Sequence, residues 1–132
     1  MPKKLFLLPA LVLSALLFAP SQRASAASPY DLYAYDDLVT GFEYAMNAYE
    51  ADPSDPNAYD AALYGYYAQY YASVADNSDN QFAWYYAYLL GSTAADHALA
   101  VYEDTGDIDS GYAHYYLSTG ATYALYAYLT FA

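Results

Sequence analysis

Along this chain small apolar residues return every three or four positions, in four separate stretches, with tyrosines and carboxylates between them. The first stripe is Ala34, Leu38, Gly41, Ala45, Ala48, and the second Ala58, Ala61, Gly65, Ala68, Ala72, Ala75. The third is Trp84, Ala87, Gly91, Ala94, Ala98, and the fourth Ala113, Leu117, Gly120, Ala124, Ala127. Steps near 3.6 residues place each stripe on one face of a helix. Each stripe holds a Gly near its middle, where Gly costs about 1 kcal/mol relative to Ala. Such costs at four matching places point to helices whose backbones approach closely.

Turn residues separate the stretches. Ser28-Pro29 and Asp55-Pro56 each offer an N-cap followed by Pro at the first helical position. Ser78 with Gln81 fits a capping box, Thr105-Gly106 ends a helix, and Asp107 or Asp109 can start the next. The pattern predicts helices near 29–51, 56–76, 79–104 and 109–130.

The stripes also predict how these helices pair. Folding the chain back at Pro53 sets Gly41 level with Gly65, Ala45 with Ala61, Leu38 with Ala68 and Ala34 with Ala72. Folding it at Thr105-Gly106 sets Gly91 level with Gly120, Ala98 with Ala113, Ala94 with Leu117 and Trp84 with Ala127. Small residues mirrored about both turns predict two αα-hairpins. The expected fold is all-α: a four-helix up-down-up-down bundle of two tight αα-hairpins with Ala/Gly seams.

Charge adds a location. Lys3, Lys4 and Arg23 are the only basic residues, and they flank an apolar run, Leu5 to Ala19, followed by Ala24-Ser25-Ala26. This is the pattern of a secretory signal peptide over 1–26, leaving one acidic, Tyr-rich domain over 27–132. The expected location is outside the cell or in the periplasm. All 15 carboxylates and all 21 tyrosines belong to that domain, which has no Lys, Arg or Cys. Nucleic acid and anionic membranes, both bound through Lys and Arg, are therefore not expected partners. Cations or a cationic partner are. The abundance of Tyr, Ala and Leu argues against disorder.

With Ala and Gly in the seams, the tyrosines must flank them. About half can bury their rings between hairpins, and the rest should reach the surface, where Tyr favours interfaces. Tyr64, Tyr67, Tyr70, Tyr71, Tyr115 and Tyr116 are the candidate interaction residues. The expected partner is a second copy of the chain or a component of the envelope or matrix.

An up-down-up-down bundle gathers Glu50, Asp52, Asp55, Glu103, Asp104, Asp107 and Asp109 at one end. Asp52, Asp55, Glu103, Asp104, Asp107 and Asp109 are candidate metal ligands, for Ca²⁺ if for any ion. No other cofactor is expected. Their spacing does not match an EF-hand loop, and several have a plain alternative as helix caps. Crowding among like charges should raise some carboxylate pKa values in the fold.

Catalysis is not expected. His97 and His114 are the only histidines, and their offsets from Ala98 and Ala113 point to opposite flanks of their hairpin. A carboxylate acid–base hydrolase is the remaining enzymatic alternative, with no pair singled out. The composition thus favours a structural or interaction protein. The alternative is a module that binds a cationic or carbohydrate ligand in an aromatic-acidic pocket.

Overall fold

The computed structural model describes residues 28–131, so the secretory-signal reading of 1–26 lies outside the described residues. Four helices follow one another: α1 (Pro29–Ala51), α2 (Pro56–Ser78), α3 (Gln81–Thr105) and α4 (Ile108–Leu129). Each packs against its neighbours in the chain, and α1 closes the ring against α4. The result is the up-down-up-down bundle of two αα-hairpins.

The helix ends show where local chemistry decides. Asp55 caps α2, its Oδ1 accepting from the backbone N–H of Asn57 at 2.9 Å and of Ala58 at 3.3 Å. Asp107 caps α4, its Oδ2 accepting from Ser110 N–H at 2.9 Å, while Asp109 lies within the first turn. Between α2 and α3 the expected capping box is absent. Ser78 belongs to the last turn of α2, where its hydroxyl donates to the Val74 carbonyl. Asn80 is the cap of α3 instead, accepting from Ala83 N–H at 3.2 Å, and Gln81 Nε2 donates to the Tyr128 carbonyl of α4 at 3.0 Å. Asp79 reverses the chain with a left-handed φ of 51°, a conformation that Asp tolerates better than most residues. The α2 helix therefore runs two residues beyond its expected end.

The core is built almost wholly of alanine, with Leu38, Leu117, Trp84 and Tyr49 as its largest fully buried side chains. Alanine helices can approach closely, so the few large residues must be matched by glycines. A methyl group placed on Gly41 would lie 2.7 Å from Leu117 Cγ and 2.8 Å from the Leu117 backbone nitrogen. One placed on Gly120 would lie 2.8 Å from Leu38 Cγ and 2.9 Å from the Leu38 backbone nitrogen. Leu117 Cδ2 also faces Gly65, and Leu38 Cδ2 faces Gly91. The two glycines of each hairpin thus form a socket that receives one leucine of the other hairpin, a knobs-into-holes arrangement.

This reciprocity is written in α1 and α4 as an internal correspondence. Tyr33, Ala34, Leu38, Thr40, Gly41, Tyr44, Ala45, Ala48 and Tyr49 recur at the same spacing as Tyr112, Ala113, Leu117, Thr119, Gly120, Tyr123, Ala124, Ala127 and Tyr128. Antiparallel packing of two helices with the same Leu-x-x-Gly step sets each leucine over the other helix's glycine. No helix among the described residues is long and apolar enough to cross a membrane.

Candidate interaction surfaces

With alanine inside, most of the tyrosines pack against one another outside, Tyr49 and Tyr66 being the buried exceptions. At the end where α1 and α3 begin, rings pack in two rows, one between α1 and α4 and one that runs from α2 across α3 to α4. Tyr30 of α1 lies 6.1 Å from Tyr123 and 5.4 Å from Tyr126 of α4, centroid to centroid, and Tyr33 lies 5.4 Å from Tyr123. On α2, Tyr67, Tyr66, Tyr70 and Tyr71 follow in contact, and Tyr71 reaches Tyr86 of α3 at 5.4 Å. Tyr86 leads to Tyr85, and Tyr85 to Tyr128 of α4 at 5.3 Å. Phe82 and Leu129 stand beside this collar, 66 % and 65 % exposed. Beneath it sits Trp84, wholly buried.

A second group lies toward the opposite end, between α1 and α4. Tyr44 stacks on Tyr116 at 5.8 Å with the rings 8° from parallel, and contacts Tyr112 at 5.2 Å. Tyr116 in turn meets Tyr115 edge-on. Of the six tyrosines named from sequence, Tyr67, Tyr70 and Tyr71 belong to the collar row and Tyr115 and Tyr116 to this second group. Tyr64 stands apart, stacked on His97 at 5.8 Å. Among the tyrosines not named there, Tyr30, Tyr33 and Tyr44 are brought in by the closure of α1 on α4, and Tyr86 by that of α2 on α3.

The acidic end is also assembled from both hairpin loops. Asp52, Asp55 and Asp107 line one cleft of about 270 Å³ together with Ala51, Val101 and Thr105. Glu103, Asp104 and Asp109 lie outside its lining. The three carboxylates in the cleft each serve the backbone nearby: Asp55 and Asp107 as the caps above, and Asp52 by accepting from the Ser54 backbone N–H at 3.3 Å as well as from the Ser54 hydroxyl at 2.6 Å. Among the described residues no three Asp, Glu or His side chains are grouped to hold a metal ion.

The histidines turn to different neighbours. His97 Nδ1–H donates to Asn57 Oδ1 of α2 at 2.9 Å, and His114 Nδ1–H donates to the Ala95 carbonyl of α3 at 3.0 Å.

Asp37, on α1, has its carboxyl held above the ordinary 3.8, by burial first and then by the adjacent Asp36 charge. Burial likewise raises the phenols of Tyr35, Tyr49, Tyr59 and Tyr66 above 10.0, with nearby Asp or Tyr groups adding to it at all but Tyr49. For Asp37 the folded chain binds the proton more tightly than the unfolded chain. Stability is therefore lost as pH rises from 3.8 through the higher folded value, and the penalty persists at neutral pH. Asp37→Asn should stabilise the fold at pH 7, by about 0.5 kcal/mol or less after solvent screening, and so raise the unfolding temperature. Below pH 3.8 the variant and the parent should melt together. Thermal melts followed by circular dichroism at the two pH values check this.

A third feature is an open groove of about 560 Å³ between α3 and α4, beside the acidic end. Leu99 and Tyr102 of α3 and Ile108, Tyr112, His114 and Tyr115 of α4 line it. Its floor is Gly111, where an added methyl group would stand 3.1 Å from the Tyr102 ring.

Comparison with known proteins returned no match: no family model, no curated protein and no solved structure is similar to this chain.

Proposed function

We propose that this is a structural or interaction protein of the cell exterior or periplasm, which docks through its tyrosine collar to a second copy or to an envelope or matrix component. The observation that carries the reading is the collar itself. Rings from all four helices gather at one end, flanked by exposed Phe82 and Leu129. Aromatic rings supply large contact area at low entropic cost, and a contiguous exposed apolar patch is a mark of an interaction site. The Lys-flanked apolar leader supports export. The carboxylates of the opposite end support a response to cations, which would screen their mutual repulsion.

Sedimentation velocity on the chain from Ala27, at micromolar concentration in chelator and then in millimolar Ca²⁺, tests the reading. Concentration-dependent assembly is expected, weakened in a Tyr86→Ser/Phe82→Ser variant that keeps its helical spectrum. Assembly that the variant leaves untouched would exclude the collar. A monomer in both conditions that also captures no envelope component through the collar would end the docking reading.

A further inference from the structure

We infer that the α3–α4 groove is a second binding site, for a basic amphipathic segment of another protein, one that carries Lys or Arg on the flanks of an apolar face. It uses residues separate from the collar, so it stands or falls independently of the docking reading above.

The groove floor and walls are apolar or aromatic, and four of the lining side chains stand out toward solvent. Ile108 is 68 % exposed, Tyr115 59 %, Tyr112 50 % and Tyr102 45 %. A groove between two helices suits the apolar face of a third, with anchors at i, i+3, i+4 and i+7. The chemistry of the flanks follows from what surrounds the groove. Asp96 lies one helical turn before Leu99, Glu103 follows Tyr102, and Asp109 stands between Ile108 and the turn that carries Tyr112. The loop from Asp104 to Asp107 closes the same end. No Lys or Arg occurs among residues 28–131.

Charge decides between possible occupants. A second copy would bring its own carboxylates against these, and like charges opposed across an interface cost several kcal/mol. A segment bearing Lys or Arg gains from both kinds of group present. The carboxylates pair with its cations, and the faces of Tyr102, Tyr112 and Tyr115 attract them through the ring quadrupole. The aliphatic stems of those side chains would cover the exposed rings.

The test is titration of the full chain with a fluorescent synthetic helix of leucine and lysine, its leucines at i, i+3, i+4 and i+7. Two control peptides replace the leucines by serine or the lysines by glutamate. Saturable binding of the Leu/Lys peptide is expected, weakened by added salt, with each control at least about tenfold weaker. An Ile108→Ser/Tyr115→Ser variant, both positions being exposed, should lose about tenfold in affinity while keeping its helical spectrum. Leu89→Ser, outside the groove, should bind within about twofold of the parent. Equal binding of the Lys/Ser peptide would reduce the effect to diffuse charge and overturn the site. So would an unchanged affinity in the Ile108→Ser/Tyr115→Ser variant. Self-assembly through the collar, read by sedimentation in the same preparations, is expected to be untouched by either groove substitution.

Discussion

Trp84→Ala is expected to cost about 3–5 kcal/mol, the usual loss when a fully buried Trp is truncated. That is a large fraction of the roughly 5–15 kcal/mol that holds a domain of this size together. The reason lies in the layer it fills. The buried cluster to which it belongs includes Ala34, Ala72, Ala75, Ala124 and Ala127, all essentially without exposure. Alanines have no rotamers with which to close the hole, so collapse would require helices to move. Such movement would carry the collar tyrosines with it, because Tyr85 flanks Trp84 and Tyr128 follows Ala127. The indole also carries a cost of its own, since its Nε1–H is buried without a hydrogen-bond partner. An unpaired buried donor costs about 1–3 kcal/mol. Trp84→Phe should therefore lose much less than its lost volume implies, within about 1.5 kcal/mol of the parent. Urea unfolding followed by far-ultraviolet circular dichroism measures both. A Phe variant as unstable as the Ala variant would show that the whole indole, not a ring of sufficient size, holds this layer.

The helices and their pairing were legible because both are written locally. Asp55-Pro56 and Asp107 are caps by the chemistry of their own side chains, and the three- and four-residue spacing of Ala and Gly is a property of one helix at a time. The α2–α3 boundary was less legible. Ser78 fits a capping box on spacing alone, but Asn80 is the residue followed by a helix that Gln81 ties to Tyr128. Mirroring the stripes about the loops compares heights, and it places Gly41 level with Gly65 and Gly91 level with Gly120. Height does not report rotation about a helix axis, so it cannot say what fills the space between the glycines. That answer was present in another comparison, the one between α1 and α4 at constant spacing. The collar is harder still to read from sequence. Tyr30 and Tyr33 meet Tyr123 and Tyr126 only because the two ends of the chain close on one another.

Gly41→Ala and Gly120→Ala should each destabilise the fold by about 1–3 kcal/mol, although alanine is the better helix former by about 1 kcal/mol. The added methyl groups would stand 2.8 and 2.9 Å from the backbone nitrogens of Leu117 and Leu38 respectively. A flexible side chain could swing aside, but a backbone nitrogen moves only if α1 and α4 part. Gly65→Ala provides the contrast within the same motif. There the nearest atoms, Leu117 Cδ2 and two atoms of Phe42, lie at 3.6 Å, an ordinary contact distance. Propensity then decides the sign, and Gly65→Ala should stabilise the protein by up to about 1 kcal/mol. Opposite signs for identical substitutions in stripes of identical pattern separate two explanations of those glycines. If close approach of α1 to α4 is what they serve, denaturation midpoints fall for Gly41→Ala and Gly120→Ala and rise for Gly65→Ala. The double variant Gly41→Ala/Gly120→Ala adds a further constraint. Both methyl groups push the same two helices apart, so once the first has separated them the second meets less resistance. Its loss should therefore fall short of the sum of the two single losses. Strict additivity would mean that the sockets yield one at a time and that α1 and α4 do not move as a unit.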